Sequence, residues 1–143
     1  MVGRSKLRTF DAIKSRVQRR LDGWKEKLLS QAGKEILLKI VAQAIPSYCM
    51  SIFLQPTSLC RELNVMMNRY RWGNQSSSKG ILWKSWTKLG MSKRKGGLGF
   101  RDLHLFNLAL LAKQAWRLIQ DPDSMAAKFL KEKYFPQGPF LQA

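Results

Sequence analysis

A mainly α-helical fold, with one small β-hairpin around residues 80–101, is predicted by three features of this chain. Apolar residues recur in steps of three and four along several stretches. Prolines and glycines punctuate the chain between those stretches. Alternation suited to a strand is confined to Ile81–Trp86, just ahead of a glycine cluster. With 143 residues and an apolar share of 45%, the chain is one domain, or a piece of a larger one, able to bury a core.

The first helix is read from Phe10, Ile13, Val17, Leu21, Trp24 and Leu28, which form one stripe. Asp22-Gly23 is a point where it could divide. A break follows at Ser30–Gly33, where Ser30 or a neighbour can cap a second helix over Lys34–Ala42. Pro46 ends or kinks that helix, and Ser47–Leu54 is expected to be a short helical segment. Pro56-Thr57 opens another helix, with Thr57 as the candidate cap and Leu59, Leu63, Met66, Met67 and Tyr70 on its buried side. It closes at Trp72-Gly73, and Asn74–Lys79 reads as a polar loop.

Gly96-Gly97 and Gly99 permit positive φ angles, so a tight turn or hairpin fits there. Asp102 can cap a helix running to Ile119, with Leu103, Phe106, Leu110 and Leu118 in its apolar set. Asp121-Pro122-Asp123 reads as a helix start: a capping acid, a proline at the first position and an acid in the first turn. That last helix is expected to reach about Tyr134, before Pro136 and Gly138-Pro139. The resulting organisation is a basic extension (1–10), a helical region (11–72), a polar loop with a basic Trp/Gly-rich hairpin (73–101), a helical pair (102–136) and a tail (137–143).

Charge is the chain's most unusual property. It carries 26 Lys plus Arg against 9 Asp plus Glu, a net +17. Residues 79–101 hold seven cations and no acid; residues 1–39 hold eleven cations and four acids. Such an imbalance points to a polyanionic partner, RNA or DNA before an anionic membrane. The candidate phosphate-contacting residues are Arg16, Arg19, Arg20 and Lys25 on the first helix, then Lys84, Lys88, Lys93, Arg94, Lys95 and Arg101 in the basic block. Trp83 and Trp86 are candidate stacking platforms for unpaired bases. The plainer readings stand beside these: a run of cations is often only a solvated face, and tryptophans are more often core.

Chemistry beyond binding finds little material. His104 is the single histidine, and Cys49 and Cys60 are eleven residues apart with no Cys-x-x-Cys, so neither a zinc site nor an acid–base centre is expected. Both thiols read as small buried hydrophobes in a reducing compartment. Gly96-Gly97-Leu98-Gly99 lacks the spacing of a phosphate-binding loop, and no cofactor or small-molecule substrate is expected. Asp121 and Asp123 suit a helix start better than a metal. No apolar run reaches membrane-spanning length. Arg4, Lys6 and Arg8, without an acid in the first ten residues, leave a mitochondrial presequence open, although Asp11 follows at once.

Several stretches together resemble one family. They are Arg16-Val17-Gln18 with Leu21-Asp22-Gly23-Trp24-Lys25, Leu29–Lys34, Ala44–Ser51, Arg71-Trp72-Gly73, Trp83-Lys84-Ser85-Trp86, Gly96–Arg101, Asn107–Arg117 and Lys133-Tyr134-Phe135. In this order they are similar to the region after the polymerase palm in plant non-LTR (LINE-type) retrotransposon reverse transcriptases. Open reading frames of this kind, labelled ribonuclease H-like or uncharacterised mitochondrial, occur as stranded pieces of such elements. The resemblance covers about residues 11–136. It implies a helical thumb-like and connecting region that holds a template–primer duplex against the palm. The family's Tyr-Ala-Asp-Asp-type motif, zinc module and ribonuclease H domain have no counterpart in this sequence, so no catalytic residue carries over and this chain is not expected to be an enzyme.

The expected function is therefore that of a non-catalytic reverse-transcriptase fragment binding nucleic acid without reading sequence, in the nucleus or alternatively the mitochondrion. The alternatives are a domesticated small basic nucleic-acid-binding protein of an organelle, and an inert or protein-interacting remnant.

Overall fold

The computed structural model describes residues 2–25, 27, 29–73 and 84–138. It is mainly α-helical, and no strand occurs among the described residues. Helix α1 spans Val2–Lys25, α2 Gln31–Leu37, α3 Ser47–Met50, α4 Thr57–Trp72, α5 Trp86–Gly90, α6 Leu103–Gln120 and α7 Met125–Tyr134. A π-helical turn, Leu38–Ala42, continues α2, and a 3₁₀ turn, Lys93–Lys95, sits between α5 and α6.

The core forms where the predicted stripes meet. Ile13, Val17, Leu21 and Trp24 of α1 pack with Leu59, Leu63, Met67 and Tyr70 of α4. Leu38, Ala42 and Met50 close one side, and Leu89, Phe100 and Leu103 close another. The Trp24 and Tyr70 rings lie 5.9 Å apart and tilted, a favourable aromatic contact between the two long helices. Helix α1 runs unbroken through Asp22-Gly23, where an added Cβ would meet open space.

Polar groups fix how the elements join. Asn107 of α6 is fully buried: its Nδ2 donates to the Met50 and Phe53 carbonyls (2.6 and 3.0 Å), and its Oδ1 accepts from the Gln55 amide (2.7 Å). One side chain thus satisfies three backbone groups of the irregular segment between α3 and α4. Arg71 is also buried, and its Nη1 donates to both the backbone and side-chain oxygens of Gln31. Lys34 of α2 donates to the Gly73 carbonyl at the end of α4 (3.2 Å), where a cation complements the helix dipole.

Capping follows the sequence at Ser30 and Asp102, departs from it at two sites, and adds Ser85, which the sequence reading did not mark as a cap. Ser30 accepts from Gly33 N (3.1 Å), Ser85 from Lys88 N and Asp102 from Leu105 N (3.0 Å). Thr57 is not the cap of α4: Pro56 holds that position with extended backbone, and no side chain caps the helix. Asp121-Pro122-Asp123 does not start α7. Ser124 caps it, accepting from Ala127 N and donating to the Asp121 carbonyl, which leaves Pro122 in the preceding turn. The helix expected over Ser47–Leu54 is limited to Ser47–Met50, because the Ser51 hydroxyl bonds back to the Tyr48 carbonyl and the chain turns.

The β-hairpin expected around 80–101 is replaced by a helical return. Helix α5 and the 3₁₀ turn are the regular elements of its described part. The amides of Leu98 and Phe100 both donate to the Leu89 carbonyl, and Gly99 N donates to the Met91 carbonyl. Two donors converging on one acceptor do double the chain back, but they do not form the alternating reciprocal pairs of a ladder. The loop expected at Asn74–Lys79 lies outside the described residues.

Candidate nucleic-acid interface

The basic turn, residues 84–101, is built on a rigid frame. Leu89 and Phe100 are anchored in the core. Gly96 and Gly99 adopt φ of 77° and 72°, the left-handed region that glycine occupies freely. Gly97 is needed for a different reason: a Cβ there would lie 2.0 Å from the Met91 carbonyl oxygen, a backbone atom that cannot swing aside. The Lys84 ammonium donates to the Gly96 carbonyl (3.2 Å), tying the start of the turn to its tip.

Two side chains from outside hold the far end. Gln43, 1% exposed, donates from Nε2 to the Arg101 carbonyl (3.2 Å) and accepts from the Arg101 amide at Oε1 (3.4 Å). The Lys39 ammonium stands 5.4 Å from the centroid of the Phe100 ring, and the Arg101 guanidinium 4.7 Å from that of Phe106. Such cation–π contacts leave the charge available while fixing where it sits.

On this frame Lys84, Lys88, Lys93, Arg94, Lys95 and Arg101 are all exposed. The structure therefore brings the second group of predicted cations onto one turn. Glu35 of α2 is an acid that meets this field. Its carboxyl is held below the ordinary range by a hydrogen bond from Lys39 (2.6 Å) and by the charges of Lys39, Arg71 and Lys93, against a smaller opposing effect of burial.

The first group of cations stands apart, on α1. Arg16, Arg19 and Arg20 are exposed, off the stripe that faces α4. Lys25 is bound to Asp22 (2.7 Å), which also accepts from Gln18, so part of this charge is internally compensated. A shallow furrow between Lys14, Gln18, Arg19 and Asp22 is lined by α1 alone.

The two tryptophans differ from a pair of free platforms. Trp83 lies outside the described residues. Trp86 is half-buried, with its ring centroid 4.7 Å from that of Phe100, so it serves the frame of the turn. Trp116, in contrast, is 59% exposed on α6. The residues that sequence reasoning missed are Gln43, Lys39 and Glu35. A glutamine in an apolar stretch, Val41-Ala42-Gln43-Ala44-Ile45, was the one available signal for the first.

Among the described residues no group of three His, Cys, Asp or Glu side chains could hold a metal ion, and no helix is long and apolar enough to cross a membrane. Cys60 is buried, Cys49 partly so, and both are free thiols; burial, then the charge of Asp102, pushes the Cys60 thiol up.

The turn 84–101 thus holds six exposed cations on a fixed frame, and two known plant proteins are similar to this chain. The chain is 37% identical over 126 residues to an Arabidopsis thaliana protein named "Putative ribonuclease H protein", a match covering 88% of this chain and 20% of that protein. It is 41% identical over 100 residues to an "Uncharacterized mitochondrial protein" of the same plant, covering 69% of this chain and 65% of the relative. The chain thus spans a fifth of the first relative's length and just under two thirds of the second's. No family model and no solved structure matches it.

Proposed function

We propose that this chain is a non-catalytic piece of a retroelement reverse transcriptase that grips the sugar–phosphate backbone of a template–primer duplex without reading its sequence. The observation that carries this reading is the turn 84–101: six exposed cations, no acid within it, and a frame that fixes where they sit, with the Lys84 ammonium tied to the Gly96 carbonyl and the Arg101 backbone held by Gln43. Phosphate recognition needs positive charge held at fixed spacing, and it carries no sequence information. The likeness to a protein named for ribonuclease H supports a retroelement origin. The likeness to a protein named as mitochondrial is compatible with the mitochondrion as compartment, the alternative to the nucleus.

The test is fluorescence anisotropy with RNA–DNA hybrid, duplex and single-stranded probes across a salt series. Affinity should fall steeply as salt rises, with little dependence on probe sequence. Replacing Lys93, Arg94 and Lys95 together by glutamine should flatten the log–log salt slope by up to about three units. An unchanged slope removes the turn from the interface. Absence of binding to every probe in dilute buffer overturns the proposal.

A further inference from the structure

We propose that the nucleic-acid strand held by the turn 84–101 continues along helix α6, with Lys113 and Arg117 as further phosphate contacts and Trp116 as a stacking platform for an unpaired base. This deepens the proposed grip and rests on it. The ligand class it names is a duplex that carries a single-stranded extension.

The link is the residue where the turn ends. The Arg101 guanidinium stands 4.7 Å from the centroid of the Phe106 ring, so the last cation of the turn lies against the opening of α6. At 100° per residue, Phe106, Leu110, Lys113 and Arg117 share an arc of about 60° on that helix. Phe106 and Leu110 pack against the core, and further along the same line Lys113 and Arg117 are exposed. These two cations stand about 6 Å apart along the axis. Helix α6 itself holds no acid. Of the acids at its ends, Asp102 is engaged as the N-cap and Asp121 lies beyond the last turn. Neither Lys113 nor Arg117 forms an ion pair among the described residues. A line of uncompensated cations thus runs on from the end of the basic turn, and its complement is a chain of phosphates.

Trp116 adds the second element. It is 59% exposed, next to Arg117 in sequence and about one helical turn beyond Lys113. The residues one and two turns before it on its own side are Ala112 and Ala109, both exposed and too short to cover an indole. A flat ring beside two cations suits a base whose flanking phosphates those cations hold. A base inside a duplex is already stacked on its neighbours, so the ring serves an unpaired one. A polyanion compensates both charges while it covers the ring.

Fluorescence anisotropy of the full chain tests this with two probes, a blunt RNA–DNA hybrid and the same hybrid with a single-stranded RNA extension. Lys113→Gln together with Arg117→Gln should flatten the log–log salt slope for the extended probe by up to about two units. A control pair on α7, Lys131→Gln with Lys133→Gln, removes the same charge and should leave the slope nearly unchanged. Trp116→Ala should weaken binding of the extended probe by about five- to a hundredfold and spare the blunt one, and Trp116→Phe should restore most of the loss. Circular dichroism should show all these variants folded like the parent. Equal flattening by the two charge pairs would mean bulk charge, and equal effects of Trp116→Ala on both probes would remove base stacking; either result overturns the inference. The grip of the turn then still stands if replacing Lys93, Arg94 and Lys95 flattens the slope. A parent protein that binds neither probe overturns both.

Discussion

The side-chain amide of Gln43 pairs with both backbone polar groups of Arg101, 58 positions further along the chain. It does for the end of the basic turn what a neighbouring strand would do, but from a single buried residue. Gln43→Leu would keep the volume and remove both bonds, leaving the Arg101 N–H and carbonyl without a protein partner. A loss of about 1–3 kcal/mol in unfolding free energy is expected. Amide exchange should rise across 98–101 more than across α1, and equal protection in both regions would disprove the joint.

Asn107→Ala is expected to destabilise more than Gln43→Leu, by about 2–4 kcal/mol, because it removes three bonds of one buried side chain together, those to the Met50 and Phe53 carbonyls and that from the Gln55 amide. Chemical denaturation measures it. A cost within error of an exposed-site control such as Gln114→Ala would show that water replaces the side chain.

Two glycine substitutions should have opposite signs. Gly23→Ala, in a helix with open space around the new methyl, should stabilise by about 0.5–1 kcal/mol. Gly97→Ala places its methyl against the Met91 carbonyl and should disrupt the turn 91–100. Thermal melts of the two variants, with a salt series of nucleic-acid binding for the second, check both signs.

Much of this was legible in the sequence, and the reasons are specific. The α1 and α4 stripes are long and regular, so Ile13, Val17, Leu21, Leu63 and Met67 announced their burial through spacing alone. Asp102 and Ser30 were readable as caps because each precedes its helix at the right distance. The hairpin was misread because three glycines after a short alternating run fit a hairpin and a helical return equally well; the choice was made by Leu89 and Phe100 reaching the core. Charge pattern pointed to the cations of 84–101, but nothing local could reveal that a glutamine at 43 and a lysine at 39 would hold that turn, since the pairing spans 58 positions of the chain. Tryptophans in general read as more often core, yet Trp116 stands 59% exposed on α6.

Glu35 gives a pH prediction with a defined sign. Its carboxyl titrates lower in the folded chain than in the unfolded one, chiefly through its bond from Lys39. Its stabilising contribution is therefore complete above the unfolded carboxyl value and disappears as pH falls through the folded one. Glu35→Gln should remove that segment of the acid-unfolding curve. The same change deletes an acid that feels the charge of Lys93 and releases Lys39, so nucleic-acid affinity should rise and its salt dependence steepen. An acid-unfolding profile identical to the parent protein's would refute the assignment.

The π-helical turn Leu38–Ala42 packs one additional residue into a single turn, with the Gln43 amide donating five residues back to the Leu38 carbonyl. That surplus residue acts as a phase shifter. Deleting one position between Lys39 and Val41 would give a smoother, more regular helix, yet it would rotate everything downstream by about a quarter turn, carrying the amide at 43 away from its distant backbone partner. The irregularity is thus what aligns the two halves of the molecule, and a better helix would make a worse protein.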